Sequence, residues 1–465
     1  MQSQQQSEHD TYRVIVFGSN GTEMLLKTSD GRFVLPSVEI PRWERVAENL
    51  TAALERDFGC EAVCLFTHNH SSKDGDTQTD LYEVMECWQE AKHPAKAAWQ
   101  PIRLLTASLF RDANEFRVVD QCIHELVSLE RDSGSPFARR GWLAELRDWT
   151  ADVLRGAGVE HIGPLRQYNA SPAFSLIRFA TTGPAVWFKA VGAPNLREFP
   201  ITLKLVELFP KFTPKILGTK PEWNGWLSRE VEGSNLGETK ELALWEQAAA
   251  DLSTLQIESM SKSALLLRLG AHDLRLDVLL SVIDPFFDLV ARLMDQQQKV
   301  PPAILSREEL SLVRVLVDDA LTLLQDLGVP DALGHLDLNP WNIIVSSDRS
   351  VFLDWAEAYV GPPFFSLEYL LQHFQREVGA SSTTQSQVVV AYERPWRQLL
   401  PEDRIGEALA LVPLAAVFAY AVGTDTWKDE EKVRDPKIAG YFRALARRMN
   451  REAMQSHERR SPCLS

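Results

Sequence analysis

The residues best suited to chemistry lie within one stretch, from Gly334 to Leu371. Asn342 comes directly before one short β-branched run and Asp354 directly after a second, with a polar turn between the two runs. This pattern predicts two antiparallel strands, whose pairing would bring the backbones of Asn342 and Asp354 to roughly 5 Å from each other. We therefore expect an amide oxygen and a carboxylate to meet at one end of a hairpin.

The chemistry that this pair favours is the binding of a hard cation. Mg²⁺ prefers oxygen ligands, keeps several waters and is held by one or two side chains together with substrate phosphates. Asp337 lies on the loop that leads into the hairpin, where a second carboxylate can face an acceptor hydroxyl as a base. The stretch therefore predicts a phosphate-transfer site, with a chance match of the short H-x-D-x-x-x-x-N spacing as the alternative.

A family resemblance follows from the same residues. The string HLDLNPWNIIV, followed by an aspartate in FLDW, resembles the catalytic loop and metal-binding aspartate of the aminoglycoside phosphotransferase and choline kinase-like small-molecule kinases. The resemblance implies that Asp337 is the catalytic base, that Asn342 and Asp354 are the Mg²⁺ ligands, and that His335 organises the loop. Two positions depart from the family pattern, because Leu336 stands where glycine is usual and Ser366 lies near the place of an aspartate. Neither change removes a chemical group from the phosphate site.

A second candidate for nucleotide chemistry is Lys189, the one charged residue in the apolar run VWFKA. The resemblance implies that this lysine, on the third strand of a small lobe, holds nucleotide phosphates and pairs with a glutamate on the following helix. Glu198 is the first choice for that partner and Glu207 the second. The alternative is a solvated lysine on an edge strand.

Two further segments complete the expected nucleotide site. The turn between the first two strands of the small lobe has no glycine, so backbone amides and the side chains of Asn169 and Ser171 would have to reach the phosphates. A later strand resembles the family's hinge between lobes, which implies that adenine bonds to the backbone at about Glu230 and Val231. After this hinge the sequence is mainly helical.

The N-terminal segment, residues 11–130, has strand and turn signals around one amphipathic helix. It resembles a Nudix domain, because the spacing of the Nudix box is matched by Leu35-Pro36, Glu44 and Phe58-Gly59. The family's metal-binding carboxylates are missing, since Ala53 and Arg56 stand at two of their positions. A cation there would repel Mg²⁺, so we predict a Nudix-like fold without hydrolase activity. An unrelated α/β domain with a fortuitous helix is the alternative.

Composition narrows the class of partner. The chain has 49 basic and 64 acidic residues, a formal charge of −15, which argues against nucleic acid or an anionic membrane. Five scattered cysteines without a C-x-x-C pair indicate neither a disulfide framework nor a zinc site, and they favour the cytoplasm. The longest uncharged run, 408–424, contains Pro413 and is short for a bilayer, so it predicts a buried helix.

These patterns together predict an α+β protein with a protein-kinase-like two-lobed fold behind a Nudix-like α/β domain. The expected division is a disordered tail (1–10), the Nudix-like domain (11–130), a linker with a bracing helix (131–154), a β-rich small lobe (155–235) and a helical large lobe (236–460).

The predicted function is a Mg²⁺-dependent kinase that moves the γ-phosphate of ATP or GTP to a hydroxyl of a small molecule. The acceptor could be an aminoglycoside-like antibiotic, an amino alcohol or a sugar, and the later helices offer candidate contacts at Glu368, Asp425, Trp427 and Asp429. The alternative is a catalytically silent nucleotide-binding regulatory protein. The sequence leaves the oligomeric state open.

Overall fold

The structure is a computed structural model that describes residues 9–71, 79–89, 97–132, 134–158, 161–379 and 381–460. It is a mixed α+β fold with a sheet-rich N-terminal part and a helical C-terminal part. The chain divides into two compact units. The first comprises residues 1–199 and 215–230, and the second comprises residues 200–214 and 231–465.

The first unit contains twelve strands and three helices among its described residues. The strands are β1 (His9–Phe17), β2 (Glu23–Ser29), β3 (Arg32–Val34), β4 (Ser37–Pro41), β5 (Glu61–Ser71), β6 (Thr79–Gln89), β7 (Ala98–Pro101), β8 (His161–Ser171), β9 (Phe174–Thr181), β10 (Val186–Ala190), β11 (Ile216–Lys220) and β12 (Gly225–Arg229). The helices are α1 (Val46–Phe58), α2 (Ala113–Leu129) and α3 (Trp142–Gly156).

These strands form two sheets. The N-terminal sheet has the order β3-β2-β1-β6-β5, with β4 also paired to β1 and β7 to β2. It is mixed, since β1 runs parallel to β6 and antiparallel to β2 and β4. The small-lobe sheet is antiparallel in the order β11-β12-β10-β9-β8. The strand β5 therefore lies at an edge of the first sheet and β8 at an edge of the second.

Helix α1 carries the segment that resembles a Nudix box. Its apolar face, including Leu50, Ala53 and Leu54, is buried, and Gly59 ends the helix in the left-handed conformation with a φ of 65°. That conformation costs glycine nothing because it has no Cβ. The helix and its glycine cap were predicted correctly.

The predicted N-terminal domain, linker and small lobe share one hydrophobic core. A single cluster of buried side chains runs from Phe17 in β1 through Val118 in α2 and Trp142 in α3 to Phe188 in β10. The bracing helix predicted within residues 131–154 is α3, and it packs in the middle of this cluster. Continuous apolar packing is the physical reason that these parts form one unit.

The start of the chain differs from the predicted tail over residues 1–10. Strand β1 begins at His9, and Asp10 pairs with Ile40 of β4. The disordered-tail prediction is therefore wrong for these two residues, because strand pairing gives their backbone partners. Residues 1–8 lie outside the described chain.

Glu83 is a buried acid in the N-terminal sheet, and its titration should lower stability at neutral pH. The Thr67 hydroxyl donates to its carboxylate at 2.6 Å, yet burial raises its pKa from 4.5 to about 7. As pH rises from about 4.5 towards 7, the unfolded chain releases this proton while the folded chain keeps it, so the free energy of unfolding falls. Glu83→Gln should remove this fall and stabilise the protein by up to about 3 kcal/mol above pH 7.

The measurement is denaturant unfolding of the full chain at several pH values, with Glu55→Gln on the exposed side of α1 as the matched control. The control should keep the wild-type pH dependence. Parallel stability–pH curves for wild type and Glu83→Gln would contradict the prediction.

The second unit is mainly helical. Helix α4 (Glu198–Leu208) crosses from the first unit into the second, and the others are α5 (Leu242–Ser259), α6 (Ser263–Arg268), α7 (Leu276–Ser281), α8 (Ile283–Asp295), α9 (Arg307–Asp326), α10 (Phe364–Val378), α11 (Ser382–Trp396), α12 (Glu402–Val422), α13 (Glu430–Val433) and α14 (Pro436–Arg460). Its short strands are β13 (Ser234–Asn235), β14 (His272–Asp273), β15 (Ala332–His335), β16 (Ile343–Val345), β17 (Ser350–Phe352) and β18 (Ala358–Gly361). They form two small sheets of three strands, β13-β16-β17 and β14-β18-β15.

Helix α12 contains the long apolar run. By length and composition alone it could cross a membrane, and it is the one such helix among the described residues. In the fold, 67% of its most apolar window is buried, and the Phe418 ring contacts the rings of Phe286 and Phe287. The prediction of a buried helix is confirmed, although the helix begins earlier, at Glu402.

Candidate active site

The hairpin of β16 and β17 places Asn342 beside the residue that precedes Asp354. Ile343 pairs with Phe352, and the Leu353 amide donates to the Asn342 carbonyl at 2.8 Å. Asn342 ends a short 3-10 turn that begins at Pro340, and that turn feeds it directly into β16. The structure therefore brings the two predicted Mg²⁺ ligands to the same end of one hairpin.

Asp354 has an uncommon backbone conformation. Its φ is 62°, in the left-handed region that few residues other than glycine adopt, although aspartate tolerates it better than most. The side chain is exposed at the turn between β17 and a 3-10 turn over Trp355–Glu357. Backbone strain of this kind is concentrated at functional sites, where the surrounding structure holds it.

Asp337 is held by two of the other candidates. Its amide donates to Nδ1 of His335 at 3.1 Å, and Nδ2 of Asn342 donates to its carbonyl at 3.1 Å. The same Nδ2 lies 3.5 Å from the Asp337 carboxylate. The surrounding protein displaces part of the water around the Asp337 carboxyl and so raises its pKa. The negative charges of Asp354 and Glu357 raise this pKa further.

His335 organises the loop as a neutral imidazole. Its Nδ1 accepts a hydrogen bond from the Asp337 amide, so the ring hydrogen is on Nε2, which lies 3.1 Å from the carbonyl of Leu353. Complete burial lowers the pKa of His335, which agrees with this neutral form. One ring thus ties the loop of Asp337 to the strand end that carries Asp354.

The amide oxygen of Asn342 and the carboxylate of Asp354 fit a Mg²⁺ ion. The amide nitrogen of Asn342 is committed to Asp337, which leaves its oxygen as the atom that can bind a cation. One neutral and one anionic oxygen ligand, with substrate phosphates and waters, is the donor set that Mg²⁺ accepts.

The two departures from the family pattern have structural partners. The Ser366 hydroxyl accepts from the His335 amide at 2.9 Å and lies 3.1 Å from the Tyr359 hydroxyl. Because Tyr359 donates its one proton to the Pro362 carbonyl, Ser366 must donate to Tyr359. Leu336, the other departure, is buried in the core of the second unit. The serine therefore holds the start of the Asp337 loop through a neutral hydrogen-bond chain.

Gly334 has a steric role next to this chain. A Cβ at this position would lie 1.9 Å from Cζ of the Tyr359 ring, far inside van der Waals contact. Only glycine allows Tyr359 to stand where it bonds to Ser366.

In the first unit, Lys189 and Glu198 form an ion pair. Nζ of Lys189 lies 2.5 Å from Oε1 of Glu198, whose side chain is almost fully buried. Strand β10 lies between β9 and β12, so the edge-strand alternative for Lys189 is wrong. Glu207, the second choice, is exposed and bonds to Lys204 instead. The structure thus brings together the preferred pair.

We predict that Lys189→Ala weakens the binding of Mg²⁺–ATP by tenfold or more and lowers turnover. The substitution removes the positive charge that is predicted to bind the nucleotide phosphates, and it also leaves the buried Glu198 carboxylate without this partner, which lowers stability. Equilibrium binding of nucleotide to the full chain is the measurement. Lys204→Ala, which removes the exposed pair with Glu207, is the matched control and should leave affinity unchanged. Equal affinities for Lys189→Ala and wild type would show that the small lobe is wrongly assigned.

The turn between β8 and β9 is a tight hairpin over Pro172 and Ala173. Asn169 and Ser171 are at the end of β8, and the Asn169 side-chain oxygen accepts from the Ala170 amide at 3.0 Å. The side-chain oxygen of Asn169 is therefore occupied locally, and its contact with phosphate stays a prediction.

At the expected hinge, Glu230 is fixed by four hydrogen bonds. Its amide donates to the Ala185 carbonyl at 2.8 Å, and its carboxylate accepts two bonds from Arg178 and one from Trp187. The amide proton of Glu230 is thus already used, which leaves its carbonyl and Val231 for the predicted contact with adenine. The division between the two units falls between these two residues.

The four candidate acceptor contacts lie in different settings. Trp427 is buried and packs against Phe286, so core packing accounts for it and its contact with an acceptor stays a prediction. Asp429 accepts hydrogen bonds from two backbone amides as the N-cap of α13. Asp425 is paired with Lys428, and Glu368 accepts from Gln372. Core packing and helix capping account for the first two residues.

A residue that the sequence analysis missed is Glu357. Its carboxylate lies 3.2 Å from Nε2 of His272, and its backbone carbonyl accepts from the Leu336 amide at 3.0 Å. It also raises the pKa values of Asp337 and Tyr441, so it lies near both. The only signal in the sequence is its place three residues after Asp354.

The region that resembles a Nudix box has no carboxylates at the two substituted positions. Ala53 is buried in the core, and the Arg56 guanidinium bonds to Asp57 at 2.8 and 2.9 Å.

We predict that the full chain releases no nucleoside monophosphate from nucleoside diphosphate compounds in the presence of Mg²⁺. Chromatography of such reactions is the measurement, with Arg56→Glu as the comparison. Mg²⁺-dependent release by the wild type would contradict the prediction.

Residues 228–400 match the sequence model of the phosphotransferase enzyme family. The match includes the loop of Asp337, the hairpin and Asp354, and it begins after Lys189 and Glu198. Curated protein sequences give no match. The chain before Ser228 lies outside the matched segment, so the resemblance to a Nudix domain stays a prediction.

Several solved structures resemble the chain at low identity. Choline kinase LicA from Streptococcus pneumoniae is 17% identical, with 66% of this chain and 99% of that chain covered and a TM-score of 0.41. Macrolide 2'-phosphotransferase MphH from Brachybacterium faecium is 17% identical, with 65% and 97% covered and a TM-score of 0.40. Aminoglycoside phosphotransferase APH(2'')-Ib with bound ADP is 13% identical, with 67% and 99% covered and a TM-score of 0.43. The sequence match over residues 228–400 therefore supports a phosphotransferase, and identities this low leave its substrate undefined.

Proposed function

We propose that the protein transfers the γ-phosphate of ATP or GTP to a hydroxyl of a small molecule. The observation that carries the proposal is the arrangement of Asp337, which is held by His335 and Asn342 at the hairpin end that leads to Asp354. Two exposed carboxylates and an amide oxygen are thus carried by one loop and one hairpin, whose backbones are held together by hydrogen bonds. This set matches the needs of phosphoryl transfer, which are positioning and charge neutralisation.

Each residue contributes a separate part of the reaction. Asn342 and Asp354 would hold Mg²⁺, which when bound supplies positive charge against the phosphate oxygens. Asp337 accepts a hydrogen bond from the acceptor hydroxyl and orients its oxygen. It takes the hydroxyl proton as that oxygen bonds to the γ-phosphorus and the bond from the γ-phosphorus to the β–γ bridging oxygen breaks, which releases ADP or GDP. Lys189, oriented by Glu198, binds the phosphates of the donor nucleotide.

The charge around Asp337 supports a cationic or neutral acceptor. Glu357 and Asp354 are close enough to Asp337 to raise its pKa, so an anionic acceptor would be repelled. The net charge of −15 acts in the same direction. An amino alcohol, an aminoglycoside-like antibiotic or a sugar meets this condition.

A catalytically silent nucleotide-binding protein is the second candidate, and the N-terminal domain favours it. That domain has Ala53 and Arg56 where the Nudix family has metal-binding carboxylates, so it lacks metal ligands of the family that it resembles. The kinase-like part differs, because every side-chain type that the reaction needs is present there.

The experiment is a screen of the purified full chain with ATP or GTP, with Mg²⁺, and with a panel of amino alcohols, aminoglycosides and sugars. The proposal expects nucleotide consumption that depends on one class of acceptor and stops when Mg²⁺ is chelated. Tight nucleotide binding without consumption for any acceptor would favour the silent alternative.

A further inference from the structure

We propose that the N-terminal sheet fixes the β8–β9 hairpin in the position from which that hairpin binds nucleotide phosphates, with Gln167 as the positioning residue. This rests on the proposed function, because it assumes that the hairpin contacts a nucleotide. The N-terminal domain would then serve phosphoryl transfer without having a reaction of its own.

Gln167 joins the edges of two sheets. Its side chain is 1% exposed, and its Oε1 accepts from the Cys64 amide at 2.8 Å while its Nε2 donates to the Cys64 carbonyl at 3.4 Å. Cys64 is in β5, the edge strand of the N-terminal sheet, and among the described residues no strand forms a ladder with the side of β5 that faces away from β6. The glutamine amide thus supplies the donor and the acceptor that a neighbouring strand would supply.

An irregularity in β8 accompanies this contact. Gln167 pairs with Ile177 and Asn169 with Leu176, so the strand has one extra residue between the two pairs. A bulge of this kind redirects side chains, and here Gln167 is buried while the neighbouring Asn169 is exposed. The residue that anchors the strand is therefore two positions from a candidate phosphate contact.

Two other contacts hold the same hairpin. Ala170 packs against the buried cluster that includes Leu50 and Leu54 of α1. At the turn, the Phe137 amide donates to the Pro172 carbonyl at 3.0 Å, and the Phe137 ring is fully buried. The contacts at 167, 170 and 172 alternate with the candidate phosphate contacts at 169 and 171.

The composition of the β8–β9 hairpin also indicates that contacts with other parts of the protein hold its conformation. It has no glycine between Tyr168 and Ala173, so its backbone lacks the freedom with which a glycine-rich loop adapts to phosphates. A segment that cannot adapt must already have the binding conformation, and holding it there reduces the ordering cost on binding. The N-terminal domain is placed to provide that preorganisation.

Gln167→Leu should weaken the binding of Mg²⁺–ATP by about tenfold. The substitution leaves the buried amide and carbonyl of Cys64 without partners, a cost that a shift of the hairpin away from β5 would relieve. The apparent affinity for Mg²⁺–ATP is the intrinsic affinity multiplied by the fraction of molecules whose hairpin stays in place, so it falls as that fraction falls. KM for ATP should rise by a similar factor, while kcat at saturating ATP and KM for the acceptor should stay near wild type.

Gln256→Leu is the matched control. Gln256 is also fully buried, donates to the Pro363 carbonyl at 2.9 Å and accepts from the Tyr392 hydroxyl at 2.5 Å, all within the second unit. It should lose stability by a comparable amount without a selective loss of ATP affinity. Thermal unfolding of both variants separates general destabilisation from the effect on the hairpin.

Gln167→Glu is the second variant, for use also if Gln167→Leu fails to fold. Its carboxylate can still accept from the Cys64 amide, and when protonated it can also donate to the Cys64 carbonyl. Its ATP affinity relative to wild type should therefore recover as pH is lowered.

The outcomes separate the two claims. ATP affinity in Gln167→Leu equal to wild type, or an equal loss in Gln256→Leu, would overturn the inference and leave the proposed function intact. A weak Gln167→Glu variant that shows no recovery at low pH would also overturn it. Failure of the wild type to bind nucleotide would instead overturn the proposed function, and the inference with it.

Discussion

Asp337→Asn should lower kcat by roughly 10²- to 10⁴-fold while the affinity for Mg²⁺–ATP stays near that of wild type. Asparagine cannot accept the hydroxyl proton, and its amide orients the acceptor oxygen less well than a carboxylate. The loss is confined to the transition state, because Asp337 is not needed to hold the nucleotide in the ground state. Steady-state kinetics and equilibrium nucleotide binding on the same preparation measure the two effects.

The matched control is Asp348→Asn, in the turn between β16 and β17. Asp348 accepts from the Ser346 hydroxyl at the far end of the same hairpin, so its substitution tests the hairpin without touching the site. It should retain wild-type kcat. Full turnover by Asp337→Asn would remove the base from the proposed mechanism.

Asp354→Asn should impair the binding of Mg²⁺ and nucleotide, whereas Asp337→Asn should impair the chemical step. It removes a negative charge from the predicted Mg²⁺ site, so nucleotide binding should weaken and the Mg²⁺ concentration for half-maximal activity should rise by about tenfold or more. The left-handed backbone at this position tolerates asparagine as well as aspartate, so the fold should be preserved. Titration of activity and of nucleotide binding with Mg²⁺ is the measurement.

Asn342→Ala should show a milder form of the same defect, because it removes a neutral ligand. It also removes the bond to the Asp337 carbonyl, so some loss of kcat is expected beside the change in Mg²⁺ dependence. An unaltered Mg²⁺ requirement in Asp354→Asn would contradict the assignment of both ligands.

The parts of the site that the sequence predicted depend on contacts between residues close in the chain. Asn342 and Asp354 flank one hairpin, so strand alternation and a polar turn are enough to bring them together. The pair of Lys189 and Glu198 spans nine residues, the distance from a strand to the next helix. In each case local geometry leaves few alternatives.

The parts that the sequence did not predict depend on long-range packing. Gln167 bonds to a residue 103 positions earlier, and no periodicity marks either partner. Ser366 reaches His335 across 31 positions, and Gly334 is required only because Tyr359 lies against it. Trp427 shows the same limit, because its sequence position does not show that it packs in the core against Phe286.

The most direct test of the account is the transfer of label from γ-labelled ATP to an acceptor found in the screen. The account predicts a labelled acceptor with the wild-type chain and Mg²⁺. It predicts no detectable transfer when Mg²⁺ is chelated, and at most about a hundredth of the wild-type rate with Asp337→Asn. Transfer at the wild-type rate by Asp337→Asn, or transfer without a divalent cation, would contradict it.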